Sequence, residues 1–186
     1  MKKFELTAES KINIFGKKLF RIKALISFGD VKEGDVGGWI EKEENLSHSG
    51  DAWVCGDAWV CGDAMVCDDA MVCGDARVYG NAWVYGDARV YGDARVYGDA
   101  RVYGNARVSG NAEMSGNADY TTIHGFGTQF RTTTFFRCKD KKVRVACGCF
   151  FGTIPEFREQ VKNTRKGKIA EEYLMIADLM EKHFEK

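Results

Sequence analysis

Cysteine, histidine and aspartate are the residues of this sequence whose types could do chemistry. Seven cysteines are potential metal ligands or nucleophiles, because thiolates act as both. Three histidines are potential general bases, and six aspartates between residues 51 and 75 have no Lys or Arg among them. Whether any of these groups acts depends on which of them the fold brings together.

The elements that must position these residues are twelve consecutive hexads between Leu46 and Asn117. Each hexad reads Ala-x-Val-x-Gly-Asp/Asn, with Ala in eleven, Val in ten, Gly in eleven and an acid or its amide in all twelve. Ala and Val share one side of an extended strand, and Gly with Asp or Asn forms a turn that tolerates positive φ. Three hexads would close a triangular coil around the valines, so the repeat predicts about four coils stacked as parallel strands.

The run from Ala88 to Gly104 resembles the hexapeptide repeat of left-handed parallel β-helix proteins. The repeat region covers 72 of the 186 residues, and left-handedness is implied by this resemblance. The segment that begins Asp35-Val-Gly-Gly-Trp-Ile-Glu and the tail from Thr132 to Phe184 resemble uncharacterised hexapeptide-repeat proteins of phages and prophages. That second resemblance implies no chemistry.

The histidines do not match the acyltransferases among hexapeptide-repeat proteins. Their family pattern has a catalytic histidine at a subunit interface and loops between coils that bind the acyl donor. Here His48 occupies an inward hexad position, His124 follows the repeat and His183 ends the last predicted helix. No loop interrupts the hexads between Asp51 and Asn117. We therefore predict a non-enzymatic protein, with acyl transfer as the least favoured alternative.

The cysteines are equally unlike a metal site. Four of them share one hexad position, but with three hexads per coil only Cys55 and Cys73 fall in one column, so the four do not converge. Cys147-Gly-Cys149 has no histidine nearby. We predict no metal, no cofactor and reduced thiols, since the first residues do not resemble a signal peptide and no apolar run is long enough to span a membrane. The predicted location is the cytoplasm, without membrane contact.

The second hexad position should point outward, and its residues change along the chain. Early hexads carry large apolar residues there, while later ones carry arginine beside tyrosine. A contiguous outward apolar set needs a cover. The alternatives are the chain's own flanking segments, or a partner or second copy of the chain, for which the candidate interface is Trp53, Trp59, Met65, Met71 and Trp83.

Charge is segregated although equal numbers of acidic and basic residues, 27 of each, cancel overall. A predicted acidic face comprises Asp51, Asp57, Asp63, Asp68, Asp69 and Asp75. The stretch from Arg131 to Lys168 is basic, and its candidate contact residues are Arg131, Arg137, Lys139, Lys141, Lys142 and Arg144. Such a segment suits phosphate backbones or an acidic protein surface, so both remain open.

The flanks of the repeat predict an N-terminal β cap and a small α+β tail. The fold class is thus mainly β: a left-handed parallel β-helix with cap (1–45), helix (46–123) and C-terminal hairpin plus two helices (124–186). The tail signals are a hairpin around Lys139–Lys142, a capping box Thr153-Ile-Pro-Glu156 and a last helix after Gly167.

The favoured function is protein binding, for example by a phage-borne effector or inhibitor that presents its surface from a rigid solenoid. We expect a protein partner and a homo-oligomer, dimer or trimer. Nucleic-acid binding through residues 131–168 is the second hypothesis.

Overall fold

The computed structural model describes residues 1–185, which are mainly β, with a β-solenoid of about four turns and two C-terminal helices. Three longer strands come first: β1 (Phe4–Ile12), β2 (Lys18–Ala24) and β3 (Val36–Ile40). Two-residue strands follow, one in each hexad: β4 (Trp53–Val54), β5 (Trp59–Val60), β6 (Met65–Val66), β7 (Met71–Val72), β8 (Arg77–Val78), β9 (Trp83–Val84), β10 (Arg89–Val90), β11 (Arg95–Val96), β12 (Arg101–Val102), β13 (Arg107–Val108) and β14 (Glu113–Met114). The C-terminal elements are β15 (Tyr120–Phe126), β16 (Arg131–Arg137), β17 (Val143–Cys147), β18 (Phe150–Thr153), α1 (Ile154–Thr164) and α2 (Gly167–Phe184).

Each solenoid strand pairs in parallel with the strand three hexads later, as Val54 does with Val72. This pairing produces three runs of stacked strands: β5-β8-β11-β14, β4-β7-β10-β13 and β6-β9-β12. The amide of Cys55 donates to the carbonyl of Val72 at 2.8 Å, and the same pattern repeats along the stack. The hexad alanines and valines are buried, which confirms their predicted inward direction.

The turns between strands depend on backbone that favours glycine. Hexad glycines such as Gly74 have positive φ and lie against the glycine of the next coil, Gly92. One hexad has Asp68 at this position instead, with φ of 58°. Its carboxylate accepts a hydrogen bond from the amide of Gly86 at 3.0 Å, which offsets part of the cost of left-handed backbone in a residue with a Cβ.

The N-terminal strands cover the first end of the solenoid. β1, β2 and β3 are antiparallel neighbours, and β3 then pairs in parallel with β5, which places Trp39 beside Trp59. This close approach requires glycine, because a Cβ on Gly38 would lie 2.6 Å from the carbonyl oxygen of Ala58. The three N-terminal strands, which we call the cap together with the rest of residues 1–45, extend one solenoid sheet to seven strands.

The cap also supplies donors for the open edge of the first coil. Amides of the solenoid strands donate to carbonyls of the following coil, as Trp53 does to Ala70, so this pattern leaves strand carbonyls of the first coil without a solenoid partner. Lys3 is buried and its Nζ donates to the carbonyls of Gly50 and Ala52, at 3.0 and 2.9 Å. The buried amide of Asn45 donates to Gly62 and Ala64, at 3.0 and 2.8 Å. Side chains of the cap therefore complete the sheet edge that repetition leaves open.

The C-terminal elements form a four-stranded antiparallel sheet, β15-β16-β17-β18, with α1 and α2 packed on one face. The predicted hairpin is the pair β16–β17, and both predicted helices are present. The capping box is also confirmed, because Thr153 and Glu156 exchange side-chain to backbone hydrogen bonds at the start of α1. The outer strands β15 and β18 had no clear sequence signal.

Contacts divide the chain into two compact units, Met1–Asn117 and a second that begins at Ala118. The first unit contains the cap and the solenoid together, and the second contains the antiparallel sheet and both helices. Among residues 1–185, no helix is long and apolar enough to cross a membrane.

Candidate interaction surface

Two of the five residues proposed from the sequence as a partner surface lie in the core. Trp53 is 3% exposed and Trp59 is 6% exposed. Phe28 contacts Trp53 edge-on with ring centroids 5.4 Å apart, and Trp59 packs with Leu19 and Trp39. The cap folds back over these two tryptophans, so they stabilise the chain itself and are not available to a partner.

The other three residues remain accessible to different degrees. Met65 and Met71 are half-buried, whereas Trp83 is 41% exposed although it occupies the same hexad position as the covered tryptophans. The guanidinium of Arg101 lies 5.9 Å from the centre of the Trp83 ring, on the next coil. The structure therefore leaves one tryptophan of the repeat at the surface, in contact with a cation.

Aromatic stacking extends this surface along the same run of strands. Tyr85 meets Trp83 edge-on at 6.5 Å and stacks on Tyr103 at 5.3 Å, and Tyr103 is 52% exposed. We call Trp83, Tyr85, Arg101 and Tyr103 the aromatic-arginine surface. Large amphipathic rings beside arginine are the composition of energetic centres in protein interfaces.

A second aromatic stack was not expected from the sequence. Tyr79 and Tyr97 lie almost parallel, with centroids 5.1 Å apart, and Trp59 and Phe15 contact Tyr79 on its other sides. The signal was present, because tyrosines at the fourth hexad position recur eighteen residues apart, the spacing that stacks strands. Aromatic stacking thus links the cap to the solenoid.

The structure corrects the prediction that all cysteines are reduced thiols. Cys55 and Cys73, the pair predicted to share a column, form a disulfide, so these thiols are not reduced. Strand stacking places their Cα atoms 4.6 Å apart, within the range that a disulfide bridges. Burial raises the pKa of the free Cys61 thiol to about 11 and that of Cys138 to about 11, which makes both inert. No cluster of three or more metal-ligating side chains occurs within residues 1–185.

The predicted acidic face is dispersed over the turns. Asp51 and Asp69 precede stacked strands of one run, and Asp57 and Asp75 precede strands of another, because neighbouring hexads belong to different sheets. Some of the charge is also neutralised within the chain, and the pairs are Asp57 with Arg21 at 3.7 Å and Asp63 with Lys42 at 2.9 Å. The six carboxylates therefore do not make one continuous surface.

Some residues of the basic segment make hydrogen bonds or ion pairs within the second unit. Arg137 donates to the carbonyl of Phe184 at 2.9 Å, and Arg144 pairs with Asp140 at 2.7 Å. Arg131 lines a small pocket described below. The remaining three predicted residues are exposed together in the turn between β16 and β17: Lys139, Lys141 and Lys142.

His48, in the first hexad, contacts the cap. Its Nδ1 accepts a hydrogen bond from the amide of Lys3 at 3.1 Å, its Nε2 lies 2.7 Å from Glu43, and its ring stacks on Phe4. The hydrogen bond from His48 is the main cause that lowers the pKa of Glu43. These contacts fasten the first hexad to β1, and they leave both ring nitrogens engaged.

Comparison with protein families agrees with the architecture. A family model described as the YdcK beta solenoid repeat matches residues 70–86, 88–103 and 100–116. The chain is a β-solenoid protein. The matched repeats contain Trp83, Arg101 and Tyr103, so the aromatic-arginine surface lies within the recognised solenoid. No curated protein matches the chain.

Proposed function

We propose that this solenoid is a non-enzymatic binding module whose aromatic-arginine surface contacts a protein partner. The observation that carries the proposal is the 41% exposure of Trp83 in a repeat that buries its equivalents Trp53 and Trp59. Exposure of a large apolar ring to water is unfavourable, so burial of the ring against another molecule would stabilise the complex.

The chemistry of the surface defines the partner. Trp83 and Tyr103 offer flat apolar area with little conformational freedom to lose on binding. Arg101 adds a cation beside the Trp83 ring, which favours a carboxylate on the partner. The partner expected is therefore a protein with an apolar side chain flanked by acidic residues.

The proposal includes the finer description of the solenoid as left-handed, with triangular coils, of the hexapeptide-repeat type carried by phages. Three strands per turn and a positive-φ glycine at almost every turn support this description. A phage-borne effector or inhibitor in the bacterial cytoplasm is the biological role we favour, and a dimer or trimer is the expected assembly.

Affinity capture with matched variants tests the proposal. Trp83→Arg introduces the residue that the next coil carries at this position, Arg101, so the solenoid should accept it. Tyr91→Ser is the control on another sheet, because the next coil carries Ser109 there and Tyr91 is 40% exposed. We expect Trp83→Arg to reduce capture of the partner at least 10-fold and Tyr91→Ser to change it less than twofold.

Two results would reject the proposed surface. The first is capture that is insensitive to Trp83→Arg, and the second is equal loss in both variants with unchanged melting temperatures. Light scattering on the same samples separates the two kinds of occupant, because a loss of mass in Trp83→Arg identifies a second copy of the chain instead of a different protein.

Nucleic-acid binding is the second candidate, and one observation favours it. Lys139, Lys141 and Lys142 are exposed in one turn, where they can contact phosphates. Replacement of all three by alanine should then weaken DNA or RNA binding and flatten its dependence on salt. Binding that is absent at low salt, or unaffected by the triple change, rejects this candidate.

A further inference from the structure

A small pocket in the second unit gathers thiol, phenol and guanidinium groups that the proposed binding function does not use. Its volume is about 80 Å³. The chemically active residues in its lining are Arg131, Cys147, Cys149, Arg165 and Tyr173. The sequence suggested Arg131 only as part of a basic surface and predicted the two cysteines to be reduced thiols without a metal.

Cys147 lies at the end of β17, within hydrogen-bond distance of a hydroxyl and in the same pocket lining as two guanidinium groups. The hydroxyl of Thr133, on the neighbouring strand, donates to Cys147 Sγ at 3.1 Å. Arg131 extends over the adjacent Gly148, where its Nη1 lies 2.7 Å from the position that a Cβ would occupy. Hydrogen-bond donors and cations near sulfur are the two features that make a cysteine reactive.

Tyr173 closes the inner side of the pocket and stays protonated. Its hydroxyl donates to the carbonyl of Phe126 at 3.2 Å. Burial raises the pKa of Tyr173, and its interaction with Cys147 raises the pKa further, whereas Arg165 and Arg131 lower it. Tyr173 therefore acts as a hydrogen-bond donor in this pocket, and the two thiols are its candidate nucleophiles.

Cys149 provides a second thiol at the mouth of the same pocket. It is exposed, whereas Cys147 is half-buried, and only Gly148 separates them in the turn between β17 and β18. The positive φ of Gly148 reverses the chain there. The pocket volume of about 80 Å³ accommodates a molecule as small as a hydroperoxide.

We propose that Cys147 and Cys149 form a peroxide-reactive dithiol. The Cys147 thiolate attacks one oxygen of a hydroperoxide, the O–O bond breaks, and the leaving oxygen takes a proton and departs as water or an alcohol. Cys147 is then a sulfenic acid. The Cys149 thiol attacks this sulfur, an S–S bond forms, and the hydroxyl leaves with the thiol proton as water. Two thiols are oxidised and one peroxide is reduced.

Mass spectrometry of the full-length protein treated with hydrogen peroxide tests this proposal. In the unaltered protein, peptide mapping should find a Cys147–Cys149 disulfide, with the mass reduced by two hydrogen atoms. Cys149→Ser should instead accumulate a sulfenic acid at Cys147, which dimedone traps. The buried Cys138, whose pKa is raised to about 11, is the internal control and should stay unmodified on the same timescale.

Variants of the residues around Cys147 test whether its surroundings make the thiol reactive. Thr133→Val keeps the shape of a side chain that is 2% exposed but removes the donor to sulfur, and we expect Cys147 to react about 10-fold more slowly. Thr133→Ser retains the hydroxyl and should restore the rate, which shows that the loss is not a folding defect. Arg131→Gln should also slow the reaction.

Three results would overturn the proposal. They are oxidation of Cys147 no faster than that of Cys138, an unchanged rate in both Thr133→Val and Arg131→Gln, and a trapped sulfenic acid that Cys149 never resolves. Because the dithiol lies in the second unit, each outcome is independent of the capture experiment on Trp83.

Discussion

Trp59 and Trp83 occupy the second position of two different hexads, but one is 6% exposed and the other 41% exposed. Both begin a two-residue strand, and both are followed by a fully buried valine. The local backbone therefore directs both rings away from the solenoid axis. The difference is that Trp59 has Trp39 and Leu19 of the cap above it.

This comparison separates the direction in which a side chain points from its exposure to solvent. The repeat sets the direction of a side chain, whereas distant segments decide whether that side chain meets solvent. An outward tryptophan is thus a core residue where the cap reaches and a candidate contact residue where the cap ends. The predictions below test this distinction between direction and cover.

The largest effect is expected for an inward position. Val78 is fully buried between Val60 and Val96 of adjacent coils. Val78→Asp would place a carboxylate among valines with no partner, at a cost of several kcal/mol, on the order of the whole stability of a small domain. Denaturant unfolding monitored by circular dichroism should show a loss of solenoid structure. A folded variant of near-normal stability would refute the inward assignment.

The second-largest loss of stability is expected for an outward position that the cap covers. Trp59→Arg removes a ring that packs on Trp39 and Tyr79 and forces a cation under the cap. We expect the free energy of unfolding to fall by roughly 2–4 kcal/mol. Chemical denaturation measures the change, and a loss below about 0.5 kcal/mol would mean that the cap does not rest on this ring in solution.

The cap should also give the protein a distinctive pH dependence. Burial lowers the pKa of Lys3 to about 8, although Asp51 and Asp69 oppose the shift. Between this value and its unfolded pKa of about 10.4, the unfolded chain binds more protons than the folded chain, so the contribution of Lys3 to stability rises with pH. The gain should be about 1–2 kcal/mol from roughly pH 7.5 to 9.5.

A variant isolates this contribution. The buried thiols Cys61 and Cys138 have raised pKa values and act in the opposite direction, since the folded state holds their protons longer. The quantity to measure is therefore the unfolding free energy of the unaltered protein minus that of Lys3→Met across the pH range. A flat difference would show that Lys3 is not buried beneath the first coil.

The smallest effect is expected where the cap does not reach. Trp83→Arg should change the free energy of unfolding by less than about 0.5 kcal/mol, because its ring is already 41% exposed and arginine occupies the next coil. Thermal melting of Trp83→Arg beside Trp59→Arg gives the direct comparison. Similar losses in the two variants would remove the basis for the proposed binding surface.

Periodic residues made much of the fold predictable. Strand, turn and inward valine follow from six-residue spacing, and the helix start at Thr153 follows from its capping box. The coil of three hexads also anticipated that Cys55 and Cys73 share a column. Such features depend on residues close in sequence or related by the repeat.

Contacts between distant, non-repeating segments were not predictable in the same way. Nothing around Lys3 indicates that its ammonium group will cap carbonyls of Gly50 and Ala52. The pocket at Cys147 likewise depends on Thr133 from one strand and Tyr173 from a helix. Tertiary packing creates these sites, and no local pattern in one sequence records it.

The hexads are so similar in sequence that the chain could pair its coils in more than one register. Between Ala88 and Gly104, a slip of one hexad replaces Ala by Ala, Val by Val and Gly by Gly, so the interior hardly distinguishes the two arrangements. Non-repeating contacts, such as those of Lys3 and Trp39 with the first coils, distinguish the native register from a shifted one. The cap therefore sets the register in which the coils pair. Folding that starts in the arginine-rich coils must reach the cap in this native register, or the coils must unfold and pair again.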